Sequence, residues 1–509
     1  MTVARTWSVA LLGVEGALVE VEADLSNQTP ELKIIGLADK ALGEAARRVH
    51  NACANSGLSL PRRRLTINLS PASLPKQGSG FDLAIAIASL ATEVEMDAAS
   101  LASTVHLGEL GLDGRLRPVP GILPAVVAAA REGITRVVVP QANTAEAELV
   151  EGVTVLGAVN LAEVARWHGA RVAAIVQDPI LPPETATTPL PIPELAEVIG
   201  QREAVDALVV AAAGGHHLLM CGPPGAGKTM LARRLPGILP PLDEPAALTA
   251  ATIRSLAGEP VTTLTRTPPF EAPHHSASVA ALVGGGSRVV RPGAIARASE
   301  GVLFLDEAGE FPSNALDALR QPLESGAIVI HRAGATASFP ARFQLVLATN
   351  PCPCGDYGVK GGSCSCPPMA IRRYLGRLSG PLLDRIDIEL SLARVAVAHA
   401  VTAGGETLTT ATARERVREA RARSAARLAG TPWRLNAQVP GTWLRQGPLA
   451  PDPEVRRLLD AALHRGALTL RGYDRVLRVA WSIADIAGSD RLGAADIGRA
   501  LYLKKGITQ

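Results

Sequence analysis

Aromatic residues are scarce in this sequence of 509 residues: they make up 3%, although hydrophobic residues as a whole make up 47%. The hydrophobic cores must therefore be built mainly from alanine, valine, leucine and isoleucine. A chain of this length is too long for a single core, so we expect two or three domains.

Long apolar runs are also missing, because none reaches the roughly 18–20 residues that a membrane-spanning helix needs. The apolar stretch near the start is interrupted by Glu15, Glu20 and Glu22, which argues against a secretory signal. We therefore expect a cytoplasmic protein with no membrane partner. The formal charge of +3 is close to neutral, so it neither requires nor excludes nucleic acid.

Only six cysteines occur, and Cys53 and Cys221 stand alone, which does not indicate a disulfide framework. The stretch NPCPCGDYGVKGGSCSC contains the other four as two Cys-x-Cys pairs: Cys352, Cys354, Cys364 and Cys366. Four thiolates suit a tetrahedral structural Zn²⁺. Because Cys-x-Cys is tighter than the commoner Cys-x₂-Cys spacing, a redox switch and four reduced thiols in an exposed loop remain alternatives.

The hydrophobic patterning divides the chain into four parts. Residues 1–175 predict an α/β domain, in which ILPAVVAAAREGITRVVVPQAN indicates a helix, a stop at Gly133 and a strand. Residues 176–193 contain six prolines and predict an extended linker. Residues 194–395 predict a second α/β domain, with the cysteine segment 352–366 as an insertion, and residues 396–509 predict a helical domain.

The stretch HHLLMCGPPGAGKTML contains G-x-x-x-x-G-K-T between a strand-like run and a helical one, which is the context of a phosphate-binding loop. Glycines let the backbone wrap around phosphates, Lys228 reaches the β- and γ-phosphates, and Thr229 binds Mg²⁺. The predicted nucleotide-binding residues of this loop are Gly222, Pro223, Pro224, Gly225, Ala226, Gly227, Lys228 and Thr229.

Two later strand-like runs end in polar residues. The strand-like run in GVLFLDEAGEF ends in Asp306 and Glu307. We expect Asp306 to be a further contact of the nucleotide and of Mg²⁺, and Glu307 to orient the attacking water. An ordinary strand end is the alternative for this pair taken alone. FQLVLATNPC ends in Asn350, which is well placed to contact the γ-phosphate or the water.

Arg385 lies between two carboxylates in SGPLLDRIDI. One interpretation is a local ion pair, which contributes little at a surface. The other is an arginine finger that completes the ATP site of a neighbouring subunit, a contribution of roughly 10³–10⁵ in rate.

The order of these motifs resembles that of an AAA+ ATPase with a helical lid. TLRGYDRVLRVAWSIADI is similar to the second sensor helix of that fold, which implies that Arg471 faces a phosphate, with Arg475 and Arg478 as rivals for the role. EVIGQREAV, FEAPHHSASVAALVGGG, RPGAIARASEGVLFLDEAGEF and ARFQLVLATNPCPCG resemble the magnesium-chelatase-like YifB/ComM group over nearly the whole chain.

That resemblance implies ATP and Mg²⁺ as ligands and a homohexameric ring. It also implies a DNA helicase that acts on single-stranded or branched DNA and promotes branch migration in recombination and natural transformation, with recombination proteins as further partners. Two alternatives stay open, namely a magnesium-chelatase-type motor subunit and an ATP-driven protein remodeller.

The first domain is similar to the proteolytic domain of Lon in LPKQGSGFDLAIAIASLA and HLGELGLDGRLRPVPGIL. The resemblance places Gly80 where the nucleophilic serine would stand, one position after Ser79, and Leu123 where the lysine of the dyad would stand. A leucine cannot act as a base, so we expect no peptidase activity. A scaffold, a ring-forming module or a partner-binding module is the expected role.

Three further features are ambiguous. The resemblance places His274 and His275 in a loop facing a central pore, whereas adjacent histidines are more often packing or hydrogen-bonding groups. The arginine-rich stretch near residue 418 favours a solvated lid helix over a DNA-binding element. Tyr357 and Trp433 are the candidates for stacking on bases.

Overall fold

The computed structural model describes residues 3–36, 40–181, 191–286, 290–332, 335–359, 362–394 and 407–504. Parts of the predicted linker (182–190) and the predicted boundary at residues 395 and 396 lie outside the described residues. Within the described ranges, no helix has both the length and the apolar character needed to cross a membrane.

The amino-terminal region is built on a seven-stranded mixed sheet with the order β3-β4-β2-β1-β5-β8-β9. Its strands, with the small hairpin β6/β7, are β1 (Ala4–Leu12), β2 (Glu15–Ser26), β3 (Glu31–Ile35), β4 (Arg64–Ser70), β5 (Thr104–His106), β6 (Glu109–Leu110), β7 (Leu116–Arg117), β8 (Arg136–Pro140) and β9 (Thr154–Ala158). Its helices are α1 (Lys40–Asn55), α2 (Asp82–Leu90), α3 (Ala98–Ala102), α4 (Ile122–Arg131), α5 (Thr144–Ala147) and α6 (Leu161–Trp167).

The sequence pattern explains these elements. Buried and half-buried residues alternate along β4, as expected for a strand with one face on a core. Every residue of α2 is buried, and its one carboxylate, Asp82, is paired with Arg48 at 2.7 Å. The predicted helix, glycine stop and strand are confirmed as α4, Gly133 with a φ of +81°, and β8.

The second region contains a five-stranded, fully parallel sheet with the order β11-β14-β17-β10-β18. Its strands are β10 (Leu218–Cys221), β11 (Phe270–Glu271), β14 (Val302–Leu305), β17 (Gln344–Thr349) and β18 (Ile388–Ser391). Its helices are α7 (Arg202–Gly214), α8 (Lys228–Ala232), α9 (Leu235–Ile238), α10 (Glu244–Ala257), α11 (Val279–Val283), α12 (Ala294–Arg297), α13 (Ser313–Asp317), α14 (Arg320–Ser325), α15 (Pro368–Leu375) and α16 (Gly380–Leu383). Since all five strands run in one direction, their carboxyl ends share one edge, which is where ligands bind in such sheets.

Two antiparallel hairpins interrupt this region, and the sequence analysis did not anticipate either. The first pairs β12 (Gly284–Gly285) with β13 (Arg291–Pro292), and the second pairs β15 (Ala327–Arg332) with β16 (Ala335–Pro340). Residues 287–289 and 333–334, which follow the first strand of each pair in sequence, lie outside the described residues.

The carboxyl-terminal region is helical, as predicted: α17 (Thr410–Arg427), α18 (Gly441–Gln446), α19 (Pro453–His464), α20 (Leu470–Ala487) and α21 (Ala494–Lys504). Short 3₁₀ turns occur at Gln141–Asn143, Leu195–Glu197, Ala308–Glu310 and Asn436–Gln438. One hydrophobic core joins α20 to α7 and β10, so the helical region packs on the five-stranded parallel sheet rather than standing apart.

The amino-terminal region also packs on the second region. Leu123 of α4 shares an apolar cluster with Ala251 of α10 and with Val261. The Ser255 hydroxyl donates a hydrogen bond to the buried carboxylate of Glu146. The position that would hold the lysine of a Lon dyad is therefore part of a domain contact.

Candidate ATP site

The phosphate-binding loop follows β10 directly, and its glycines are required by the backbone. Gly225 and Gly227 have left-handed φ values of +78° and +85°, which favour glycine. A Cβ on Gly222 would lie 2.5 Å from the carbonyl oxygen of Leu392, so no side chain fits there. The loop therefore leaves its backbone open to approach by phosphate groups.

Lys228 is almost buried at the start of α8, and its ammonium group binds three oxygens. Nζ donates to the carbonyls of Gly222 at 2.5 Å and Pro223 at 3.0 Å, and to Oδ1 of Asn350 at 2.9 Å. Burial lowers the pKa of Lys228, and the carboxylates of Asp306 and Glu307 oppose that shift. The structure thus brings together Lys228 and Asn350, which are 122 residues apart in sequence.

Oxygen ligands suited to Mg²⁺ lie beside the lysine. The Thr229 hydroxyl donates to Oδ2 of Asp306 at 2.6 Å, and the backbone N–H of Glu307 donates to Oδ1 of the same carboxylate at 2.9 Å. Hydroxyl and carboxylate oxygens are what Mg²⁺ prefers alongside phosphate oxygens. The residues present therefore fit the ion, with Thr229 and Asp306 as its protein contacts.

Glu307 adopts a left-handed backbone conformation with a φ of +52°, which is uncommon for a residue other than glycine. Its Oε2 lies 3.0 Å from Nδ1 of His275, and both side chains are partly exposed. His274 instead contacts the Ser276 hydroxyl at 2.8 Å. The sequence analysis missed this role for His275. The feature of the sequence that points to this contact is the position of His275, four residues after β11. The carboxyl end of β11 lies on the same sheet edge as that of β14, which delivers Glu307.

Sheet order explains why Asn350 reaches the lysine. β17, which ends just before Asn350, lies between the strand of the phosphate-binding loop and the strand that delivers Asp306 and Glu307. The predicted residues Lys228, Thr229, Asp306, Glu307 and Asn350 therefore meet at one edge of the sheet.

Arg385 lies at the other edge. It precedes the start of β18 by three residues, and Ile388 of β18 is in register with Leu218, the first residue of β10. Its guanidinium donates to the Pro381 carbonyl and to Glu324, so within one subunit it is held by its own chain. A four-residue strand spans roughly 13 Å, which separates Arg385 from the phosphate-binding loop of the same subunit.

The structure also places the arginines of α20 at that opposite edge. Arg471 is exposed and pairs loosely with Asp384 at 3.5 Å, and Arg475 donates to Asp387 at 2.6 Å. Arg478 donates to the Val439 carbonyl at 2.8 Å. The chain therefore does not bring Arg471 to its own phosphate-binding loop.

Asp387 links the helical lid to the start of β10. Burial by itself would raise the pKa of this carboxyl, but Arg475 and His216 outweigh burial and hold the pKa well below its usual range. His216 also contacts the hydroxyl of Ser482 on α20 at 2.8 Å. This buried network gives α20 a rigid attachment to the strand from which the phosphate-binding loop emerges.

Models of the magnesium chelatase subunit ChlI match three segments of the chain. "Magnesium chelatase, subunit ChlI" matches residues 194–400, "Subunit ChlI of Mg-chelatase" matches 21–143, and the ChlI carboxyl-terminal model matches 407–504. Competence protein ComM of Haemophilus influenzae is 40% identical over 98% of this chain and 97% of its own length. The chain belongs to the magnesium-chelatase-like YifB/ComM family.

Other relatives support the same assignment. An uncharacterized protein of Mycobacterium tuberculosis is 47% identical over 99% of both chains, and YifB of Escherichia coli is 41% identical over 94% of this chain and 93% of its own. A Lon protease of Methanosphaera stadtmanae is 32% identical over 138 residues, 26% of this chain and 16% of the protease. The predicted fold, an AAA+ core with a Lon-like α/β region, is confirmed, and family membership indicates an ATPase that uses ATP and Mg²⁺.

In this YifB/ComM-type chain the four cysteines form one cluster. All four Sγ atoms lie within 4.8 Å of one another, and Cys352 lies 3.3 Å from Cys354 and 3.8 Å from Cys364. These separations are far from the roughly 2.05 Å of a disulfide. The cluster can therefore take a metal ion at its centre.

The Lon-like region of this family member has few free polar groups at the predicted peptidase positions. Ser79 donates to Glu109, and Leu123 is fully buried. Lys76, in the same sequence motif, is fully buried and donates to the carbonyls of Leu69, at 2.9 Å, and Pro71. The absence of peptidase activity stays a prediction.

The arginine-rich helix α17 is only partly solvated, because several of its arginines bind other groups of the chain. Arg421 donates to the Ala212 carbonyl at 2.8 Å, and burial lowers its pKa to about 10. Arg414 donates to the Gly237 carbonyl, and Arg418 pairs with Glu415. Of the two stacking candidates, Tyr357 is exposed, whereas Trp433 packs edge-on against Trp443 at 5.4 Å.

Proposed function

We propose that this protein is a ring-forming, ATP-driven DNA motor, a helicase that promotes branch migration in recombination and natural transformation. The observation that carries the ring is the separation of Arg385 from the ATP site of its own subunit. An arginine on the opposite edge of the sheet can complete an ATP site only in a neighbouring copy. The DNA substrate rests on the full-length similarity to a competence protein.

In this proposal each residue has a distinct task. Lys228 binds the β- and γ-phosphates, Thr229 and Asp306 hold Mg²⁺, and Glu307 orients the attacking water. Asn350 contacts the γ-phosphate in place of its contact with Lys228. Arg385 and Arg471 of one subunit serve the site of the next, in a homohexamer.

Movement along DNA would follow from two features of the structure. The Asp387–Arg475 pair ties the lid to the ATP-binding sheet, so a change at the phosphates is transmitted to α20. The two hairpins offer exposed groups, Arg291 and His331, for contact with a DNA strand. With few exposed aromatic groups, the grip would rest mainly on phosphate contacts and would weaken with salt.

The test is the ATPase rate of the purified protein without DNA and with single-stranded DNA, duplex DNA or a four-way junction. Glu307→Gln serves as the blank, because it removes the group that orients water. Stimulation by single-stranded or branched DNA that is lost at high salt is expected, together with movement of the junction. A rate from assembled rings that is indifferent to every DNA would refute the DNA motor.

The second candidate is a magnesium-chelatase-type motor subunit, which the ChlI models favour because they match all three regions. The same measurement separates the two candidates. An ATPase indifferent to DNA and stimulated instead by a partner protein would select this candidate or a protein remodeller.

We also propose that the cysteine cluster holds a structural Zn²⁺. With Zn–S bonds of about 2.3 Å, a tetrahedral site has sulfur–sulfur edges of about 3.8 Å. The three Sγ pairs among Cys352, Cys354 and Cys364 lie at 3.3–3.8 Å, close to that edge. Elemental analysis of protein purified without added metal should find one zinc per chain, and metal-free protein of full activity and stability would refute the site.

A further inference from the structure

The cysteine loop, residues 350–366, lies directly against the phosphate-binding loop. Residues 360 and 361 of this loop lie outside the described residues. Gly355 has a φ of +87°, and a Cβ at this position would lie 2.4 Å from Cδ of Pro224. Pro224 is the third residue of the phosphate-binding loop, so Gly355 packs against the ring of this proline with no room for a side chain at position 355.

Arg394 connects the same two loops by hydrogen bonds. Its Nε donates to the Pro224 carbonyl at 3.2 Å, and its terminal nitrogen donates to Oδ1 of Asp356 at 3.3 Å. One guanidinium therefore joins the phosphate-binding loop to the residue that follows Gly355.

The buried thiol of Cys352 organises the start of the cysteine loop. Its Sγ accepts hydrogen bonds from the backbone N–H groups of Gly355 at 3.2 Å and Tyr357 at 3.3 Å. Such N–H donors stabilise a metal-bound thiolate and fix its orientation. The segment that surrounds the thiol is thus the same segment that presses on Pro224, and Cys352 lies two residues after Asn350.

We propose that the cysteine loop is a zinc-dependent brace for the phosphate-binding loop. A bound ion fixes four residues of an otherwise irregular loop, and the free energy of metal binding offsets the entropy lost by ordering it. The ordered loop holds Pro224 and Asn350 in the arrangement that accepts nucleotide. The brace rests on the proposed ATPase function, and it makes nucleotide affinity depend on zinc.

The first experiment measures zinc per chain by elemental analysis and the dissociation constant of a fluorescent ATP analogue in the full chain. Cys364→Ser should lose the zinc and weaken nucleotide binding about tenfold, because the brace loses its metal ligand set. Cys53→Ala, at a buried cysteine of the amino-terminal region, is the matched control and should keep both zinc and affinity. Loss of zinc from Cys364→Ser with unchanged affinity would overturn the brace and leave the zinc site intact.

Arg394→Gln tests the brace without touching a thiol, and it decides the matter if Cys364→Ser does not fold. This variant should keep one zinc per chain, yet weaken nucleotide binding about threefold, since it loses the charged guanidinium that donates to both Pro224 and Asp356. Full zinc with unchanged nucleotide affinity would contradict the proposal.

The wild-type chain separates failure of the brace from failure of the proposed function. Tight nucleotide binding by protein that contains no zinc would refute the brace alone. Zinc-loaded protein that binds no nucleotide would refute the ATPase and the brace together.

Discussion

Each of the two α/β regions buries a lysine among backbone carbonyls, but the surroundings of the two lysines differ. Lys76 of the amino-terminal region contacts the carbonyls of Leu69 and Pro71. Lys228 contacts two carbonyls and, in addition, Asn350, and the nearby carboxylates of Asp306 and Glu307 act on its pKa. Lys76 therefore contacts backbone carbonyls, whereas Lys228 makes the same kind of contact inside a site that contains further polar side chains.

The two regions also differ in what surrounds their candidate site positions. In the amino-terminal region Leu123 is buried in the contact with α10 and Val261. In the ATPase region, polar side chains remain at the carboxyl edge of a parallel sheet, where a ligand has room.

The largest expected effect comes from exchanging the two lysines separately. Lys228→Ala should abolish nucleotide binding and hydrolysis, because it removes the group that binds the phosphates. Lys76→Met should leave nucleotide binding unchanged and lower the free energy of unfolding by about 1–3 kcal/mol, since it leaves buried carbonyls without a donor. Nucleotide titration and thermal unfolding of both variants measure the difference between the two lysines. Weaker nucleotide binding by Lys76→Met would contradict a purely structural role for Lys76.

Arg385→Ala should reduce the ATPase rate by roughly 10³-fold or more if its guanidinium serves a neighbouring subunit. Mixing this variant with Lys228→Ala should restore activity, because an intact arginine of one subunit then meets an intact lysine of the next. Random mixing in equal amounts predicts recovery of about one quarter of the wild-type rate in a closed ring. If mixed rings are as inactive as the separate variants, Arg385 does not complete the ATP site of a neighbouring subunit.

Leu123→Ala tests the packing role of the position where the resemblance to Lon would place the lysine of the dyad. It should destabilise the protein by about 2–5 kcal/mol, as expected for a fully buried leucine. Leu112→Ala, at a leucine that is 55% exposed, is the control and should cost little. Equal unfolding temperatures for the two variants would show that the Leu123 contact contributes nothing to stability.

A pH titration of stability tests the buried histidines of the amino-terminal region. His106 and His168 lie 2.9 Å apart through their Nε2 atoms, and burial lowers the pKa of His106 well below its usual value and that of His168 to about 4. Since the unfolded chain takes up protons below pH about 6.5, the stability present above that pH falls as the pH drops, by about 1 kcal/mol per histidine at pH 5.5.

Thermal unfolding at several pH values should therefore show that His168→Gln loses less stability than the wild type as the pH falls below about 6.5. His464→Gln, at an exposed histidine of α19, is the control and should keep the wild-type slope. His217 of the ATPase region, whose pKa burial lowers to about 4, should leave part of the slope in every variant.

The smallest expected effect concerns His275. Its contact with Glu307 holds the carboxylate that we propose to orient water. His275→Ala should raise the ATPase rate without DNA by about two- to fivefold and reduce the stimulation by DNA, because an exposed pair of this kind contributes only a few tenths of a kcal/mol to about 1 kcal/mol. His274→Ala is the matched control, and an equal change in both variants would argue against a specific role for the contact.

Much of this architecture could be predicted from local sequence. The order of strand, glycine-rich loop and helix around Lys228, the apolar run before Asp306, the helical region after residue 407 and the cysteine cluster all follow from residues that are neighbours in sequence. Short-range spacing determines these features because backbone conformation and burial respond to the nearest residues.

Tertiary structure alone decided which of these residues meet. The parallel register brings Asn350 to Lys228, and it places Arg385 and Arg471 at the opposite edge of the sheet. Sequence spacing does not encode sheet order, so it could not predict that Gly355 packs against Pro224, and the position of His275 after β11 indicates a contact with Glu307 only once β11 is known to pair with β14. The sequence by itself determined the chemical groups and the local elements, whereas the crossover connections between parallel strands decided their distances, because those connections join residues far apart in the chain.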